Sequence, residues 1–519
     1  MSDPVVDSAA APLHLLAAAR HDDGLTRAAP SATGVDADAI GAFLDDVEAA
    51  GLDLHSFMLY HNGHVVAEAW RWPYRADRPR ILHSVAKSFT ACAIGLALED
   101  GLFRLDDKVV DFFPEALPTR EPGSAVGNDA SWIAQMTIED LLTMRVGHES
   151  ETSGAVWRSV QTSWIAEFFR IPLAHQPGTA FMYTSAASYV LSALLTRVTG
   201  ETLHDYLKPR IFEPLGIQGE TWDLGPDGVN PGGNGLSAKV VDMLKLGILH
   251  AQKGVWEGRR LLPENWVSQA TQPQGEPFKY GYHWWTRGDE NFSAIGRFVQ
   301  MVTVFPTHGA ALAVTGAIKG SARLFPLIDR HFPSAFREAT AARASADDAL
   351  ASDTRLAAKL AAWQSPDASA PWKSIYETAN APAHAAALLS GTQRFTMESN
   401  PYCVEVLEFS FTDNQCTFNL FDAQGCHTIV AGIGHWIETR TDMPGSDLHH
   451  GYQLDNSPVV ARAQWLDERR LQMTWIFAES AFRDTVTAEF DGPRLVFKRE
   501  VNINGAALRH HDLSGMLLG

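Results

Sequence analysis

The chain has 519 residues, 45% hydrophobic and 20% charged, which is more than one ordinary domain and enough apolar material for a sizeable core. Its formal net charge of −19, with no compensating run of Lys and Arg, argues against a nucleic-acid or anionic-membrane partner. Cys92, Cys403, Cys416 and Cys426 form no CxxC pair, and there is no apolar run of ~18 residues, so a disulfide framework, a Cys-based zinc site and a membrane span are not expected.

The N-terminal stretch MSDPVVDSAAAPLHLLAAARHDDG lacks a basic n-region and is a poor signal peptide, so a cytoplasmic location is expected. DADAIGAFLDDVEAAG predicts a helix. In SFMLYHNGHVVAEAW (56–70) two short strands flank an Asn-Gly turn. ILHSVAKSFTACAIG opens an apolar helix that begins at Ser84 and is closed near Gly101. TIEDLLTMRVG (137–147) predicts a helix with a Thr137/Asp140 capping box and a stop at Gly147. SAASYVLSALLTRVTG (185–200) carries an apolar helical stripe and a terminal Gly200. GPDGVNPGGNG (225–235) reads as a surface turn at the rim of a site, and FVQMVTVFP and ALAVTGAI (298–318) as two late strands. Strand material at both ends with helices between predicts an antiparallel sheet assembled from those ends. From 336 to 375 the composition shifts to Ala, Asp and Ser, which predicts a partly helical linker. Beyond it, alternating runs such as CVEVLEFSFTDNQCTFNLFDAQG predict a small antiparallel β-barrel or sandwich.

The chemistry concentrates at Ser84 and Lys87. Residues i and i+3 share a helix face, so the serine hydroxyl and the lysine amine can meet. A lysine with its ordinary pKa of about 10.4 is no base at neutral pH. Burial disfavours the ammonium, and a shift of ~3 units corresponds to roughly 4 kcal/mol, enough to let Lys87 accept the Ser84 proton. The helix N-terminus and the Ser84 N–H would support a developing oxyanion. S-x-x-K arises about once by chance in a chain this long, so without context the pair reads as two polar residues on a helix end.

That context is PGTAFMYTSAASYVLSALLTRVTGETLHDYLKPRIFEPLGI. With Ser84-Val85-Ala86-Lys87, Pro177-Gly178, Tyr183-Thr184-Ser185, Val198-Thr199-Gly200 and Pro214-Leu215-Gly216, residues 40–330 resemble the serine hydrolases related to class C β-lactamases, D-aminopeptidases and family VIII esterases. DLLTMRVGHE and YGYHWW look like further landmarks of that family. The resemblance implies an α+β architecture: a β-lactamase/transpeptidase-like domain, with an antiparallel sheet flanked by helices, plus the C-terminal β domain. The expected divisions are an extension over 1–36, the catalytic domain over 37–335, the linker over 336–375 and an accessory domain over 376–519.

By resemblance Ser84 is the nucleophile, Lys87 its base partner and Tyr183 a second proton-transfer residue. Ser185 stands where many relatives have Asn. The family's basic third motif is missing; its nearest match is Ala294-Ile295-Gly296, with no basic residue at its head. Gly296 is expected to admit substrate to the strand and a backbone N–H between Gly296 and Phe298 to complete an oxyanion hole. Arg297 and Val299 replace smaller family residues, and His308 in THGA is a further candidate for substrate contact. The missing basic residue weakens the case for β-lactam turnover. It favours a hydrolase of an amide, peptide or ester bond in a small molecule or short peptide, needing no metal or other cofactor. An acyltransferase on the same fold and a non-turnover acyl-binding sensor stay open. The accessory domain has two candidate roles, covering the pocket and forming a homodimer. His148-Glu149 lacks the second His of HExxH, and no G-x-S-x-G elbow, Walker loop or GxGxxG is present. Trp284 and Trp285 read as core, and His449-His450 and His510-His511 as surface residues without metal-ligand spacing.

Overall fold

The computed structural model describes residues 23–116, 130–151, 153–275, 279–287, 291–336, 346–364, 391–412 and 414–518. The chain divides into two compact units, Met1–Ser365 and Pro366–Gly519.

In the first unit a short strand β1 (Thr26–Arg27) leads to helix α1 (Ala37–Ala49), whose Asp36 cap accepts from Asp38 N and Ala39 N. Strands β2 (Leu54–His61) and β3 (His64–Trp70) follow. Asn62 and Gly63 both take positive φ between them (43° and 97°), as the Asn-Gly signal predicts. Next come helices α2 (Ala86–Glu99), α3 (Ser185–Thr199) and α4 (Val240–Ala251). The chain then returns to strands β4 (Trp285–Thr286), β5 (Phe292–Gly296), β6 (Gln300–Phe305) and β7 (Ala310–Gly316). Helices α5 (Phe325–Ala335) and α6 (Ala346–Trp363) close the unit.

These strands form one sheet in the order β1-β3-β2-β7-β6-β5-β4, so the first and last strand segments meet along the β2–β7 ladder. β1 runs parallel to β3, which places part of the expected N-terminal extension at the sheet edge. Both faces are covered, so alternate residues serve two cores. Phe57, Leu59, Met301, Phe305, Leu312 and Val314 face α1, α5 and α6. Met58, Tyr60, Val302, Val304, Ala311 and Ala313 belong to the core shared with α2, α3 and α4. Gly247 lets α4 lie close on the sheet, since a Cβ there would come 2.6 Å from Val302 Cγ2.

Three expectations change in the first unit. The helix after Thr137 keeps its capping box but ends at Leu142, well before Gly147. The residues after it turn away to pair with the loop before Tyr183: Met182 N donates to Met144 O and Gly178 N to Arg145 O, both at 2.8 Å. The stretch 225–235 is not simply a surface turn, because residues 229–233 are buried. Within the expected linker, residues 346–363 form α6, which joins the first unit's core through Leu356, Leu360 and Trp363.

The second unit is a β-barrel. Nine strands between Gly391 and Leu517 form a ring closed by a parallel pairing of Gly432–Ile433 with Arg462–Ala463, and Ile437–Thr441 adds along one edge. Period-2 burial turns Phe395, Phe409, Phe418, Trp475, Phe490 and Phe497 inward as one ring cluster. His449 is not a surface residue: it is 1% exposed and bonded through Nε2 to Asp484 Oδ1 at 2.9 Å. Asp484 in turn accepts from Arg499 Nε at 2.7 Å, so this buried His is fixed by an ion-paired network.

Candidate active site

Ser84 lies in a 3-10 turn, His83–Val85, that runs directly into α2. His83 has φ 50°, a strained value for a residue with a Cβ and one that tends to occur at functional turns. Leu82 N bonds to Leu236 O at 2.8 Å, anchoring the turn from behind. On its other side is Gly296 of β5, where an added Cβ would come 2.3 Å from Leu82 O. The space at Gly296 is therefore used by protein backbone, which brings the serine turn against the strand.

One turn on, Lys87 is 1% exposed. Its Nζ donates to Ser84 Oγ at 3.2 Å, Ser185 Oγ at 3.1 Å and Gly233 O at 2.8 Å. Burial pulls its pKa down to about 7, opposed by the Glu151 carboxylate. Desolvation thus produces the poised amine that the S-x-x-K spacing suggests, and its oxygen partners hold Nζ in place beside Ser84 Oγ.

Tyr183 arrives on the loop that pairs with residues 144–145. Its ring stacks on Trp285 (5.4 Å between centroids, 28° between planes), meets Tyr280 edge-on at 6.0 Å and lies 4.9 Å from Lys87 Nζ. Burial pushes the phenol well above its ordinary pKa; hydrogen bonding with Ser84 acts the other way, and Glu151 adds to the rise. Ser185 begins α3, and Thr184 caps it by accepting from Ala186 N at 3.2 Å.

The structure brings Ser84, Lys87, Tyr183 and Ser185 together. Phe298 is close by, its ring edge-on to His83 at 5.5 Å, and Ala294 and Gly296 lie on the adjoining strand. His308 lies elsewhere. β6 runs from Gln300, opposite Gly296, to Phe305, so the turn bearing His308 is at the far end of that strand, about 17 Å away at ~3.3 Å per residue. There it packs on Phe336 at 5.3 Å.

Three further residues contribute to the site that neither spacing nor resemblance assigns to it. The Gly233 carbonyl holds Lys87, and a Cβ at Gly233 would come 3.0 Å from Lys87 Nζ, so the Gly-Gly pair at 232–233 was the available signal. Trp285 is half-buried against Tyr183, unlike the fully buried Trp284. Glu151 Oε2 accepts from Ser185 N at 2.8 Å, and nothing in its local sequence announces that contact. Among the described residues no cluster of three His, Cys, Asp or Glu is placed to hold a metal ion, and no helix is long and apolar enough to cross a membrane.

The chain is similar to several known proteins. It is 25% identical over 296 residues to the 6-aminohexanoate-dimer hydrolase of Paenarthrobacter ureafaciens, covering 52% of this chain and 74% of that protein. It is 32% identical over 160 residues to the lovastatin esterase of Penicillium rubens, covering 28% of this chain and only 40% of that protein. A solved structure from Bacillus anthracis, provisionally named a 6-aminohexanoate-dimer hydrolase, shares the fold with a TM-score of 0.50 and 18% identity, over 60% of this chain and 87% of that one. The Beta-lactamase family model matches residues 43–330, a span that holds the serine turn, the lysine and the tyrosine loop, and the chain belongs to that family.

Proposed function

We propose that the protein is a serine hydrolase that cleaves an ester or amide bond of a small molecule or short peptide through an acyl-serine intermediate. The observation that carries this reading is Lys87 Nζ, 3.2 Å from Ser84 Oγ and held by burial at a pKa of about 7. The phenol of Tyr183 is pushed the opposite way, so its proton stays on at neutral pH and the amine takes the part of base. Ser84 Oγ attacks the carbonyl carbon as its proton passes to Lys87. The oxyanion is held by the Ser84 N–H and a backbone N–H of the 296–298 segment. As the tetrahedral intermediate collapses, the bond to the leaving oxygen or nitrogen breaks and that atom gains a proton through Tyr183. Water then attacks the acyl-serine, the same groups return the protons, and the acid leaves. Every transfer in this cycle uses a side chain already present, without a cofactor.

The names of the relatives support an ester or amide substrate, and the absence of a basic residue ahead of Ala294 supports a substrate other than a β-lactam carboxylate. The test is intact mass after exposure to a fluorophosphonate, for wild type and Ser84→Ala, followed by a panel of p-nitrophenyl esters and amino-acid amides. Labelling of wild type alone, with turnover of a panel member, is expected. A wild type that takes no label overturns the reading; label without turnover replaces it with acyl transfer or a stalled acyl-enzyme.

A further inference from the structure

Glu151 belongs to no motif, and its residue is exposed, yet its carboxylate gathers four donors. Ser185 N (2.8 Å) and Thr184 Oγ1 (3.3 Å) come from the start of α3, and Ser153 N (2.7 Å) and Ser153 Oγ from its own loop. Ser185 connects it to the reaction centre, since its N–H donates to Glu151 while its Oγ accepts from Lys87 Nζ at 3.1 Å. The groups acting on Lys87 come from several elements. Tyr183, on the loop before α3, presents its ring face to Lys87 Nζ at 4.9 Å, and burial holds its phenol well above the ordinary pKa. His283, after the 280–282 segment, is kept neutral by burial and by Lys87 itself. Glu151, from the 148–153 loop, supplies the negative charge.

We propose that Glu151 is a positioning residue of this hydrolase: its carboxylate clamps the Tyr183-Thr184-Ser185 turn and stabilises the ammonium that forms on Lys87 when Ser84 gives up its proton. The same charge disfavours a Tyr183 phenolate, so one carboxylate fixes where the proton goes. This inference rests on the serine-hydrolase reading above.

The test is the pH profile of kcat/KM on a p-nitrophenyl ester for wild type, Glu151→Gln and Glu151→Asp. Gln keeps an acceptor for Ser185 N but removes the charge. With Glu151 one residue beyond the Lys87 contact and exposed to solvent, the acid-limb midpoint should fall by about half to one pH unit in Glu151→Gln. Glu151→Asp should return it toward wild type. Raising the ionic strength on wild type should move the midpoint downward as the pair is screened, a readout that needs no variant to fold. A midpoint that stays in place in Glu151→Gln and is insensitive to salt overturns the inference while leaving the serine hydrolase intact. If wild type takes no fluorophosphonate label, the underlying reading fails instead.

Discussion

Tyr183 and Lys87 share a buried corner, and burial acts on them in opposite directions: it releases a proton from the amine and retains one on the phenol. Activity should therefore rise with pH through a midpoint near 7 as Lys87 becomes neutral, and hold above it. Tyr183→Phe keeps the stacking on Trp285 and removes only the hydroxyl, so kcat/KM should fall by about 10²–10⁴-fold with the acid-limb midpoint unmoved. Loss of that limb in Tyr183→Phe would instead make the tyrosine the base. The residues legible in the sequence are those whose role is written in a local spacing or a family motif, such as Ser84 with Lys87. Glu151 carries no local signal, and Gly233 only that of a Gly-Gly pair, because both act through hydrogen bonds to or from the backbone that span 34 and 146 residues. His308 was misleading for the complementary reason: it is near Gly296 in sequence but at the opposite end of β6.

At the scale of elements, the site depends on how closely the serine turn approaches β5. After Gly296 the chain turns back through Arg297, Phe298 and Val299, with φ of 60° and 66° at the last two. Left-handed backbone costs about 1–2 kcal/mol at a residue with a Cβ, and nothing in the side chains of Phe and Val advertises such a turn. The buried Gln300 amide supports it, donating to Arg297 O (3.3 Å) and Phe298 O (3.4 Å) within the turn and to Gly316 O (3.0 Å) at the end of β7. The Asn-Gly hairpin at 62–63 was legible because its residues favour positive φ, whereas this turn places Phe and Val there and is held by an amide whose burial the sequence does not announce. Gly296→Ala would drive a methyl into the Leu82 carbonyl and push the nucleophile away from the strand. We expect kcat to fall by about 10²-fold with KM little changed, since a misplacement near 1 Å is enough for that loss. Steady-state kinetics on a p-nitrophenyl ester, alongside thermal unfolding, checks it. An unchanged kcat would mean that the strand end takes no part in holding the reacting carbonyl.

For the whole molecule, the composition of residues 336–375 resembles that of a linker, and the two compact units do divide nearby, at Ser365. Composition could not show that part of this stretch belongs to the first unit. The apolar stripe of α6 is sparse: Leu356, Leu360 and Trp363, each at most 4% exposed, are separated by Ala and charged residues. Its attachment is also made by partners far away in the chain. Arg355 pairs with Asp38 at 2.8 Å, Asp353 accepts from Ser31 N at 3.3 Å, Trp72 N donates to Trp363 O at 3.0 Å, and Arg71 lies 4.5 Å over the Trp363 ring. Burying three large side chains stabilises by about 5 kcal/mol, comparable with the ~5–15 kcal/mol that holds an ordinary domain together. The exposed Arg355–Asp38 pair adds little to that. A chain cut after residue 335 should therefore uncover the α1–β3 side of the sheet and melt about 10 °C below one cut after residue 364, if it folds at all. Circular dichroism melts of the two fragments decide it. Equal melting temperatures would show that α6 is a passenger on the sheet, and that the composition shift marks the end of the cooperative unit after all.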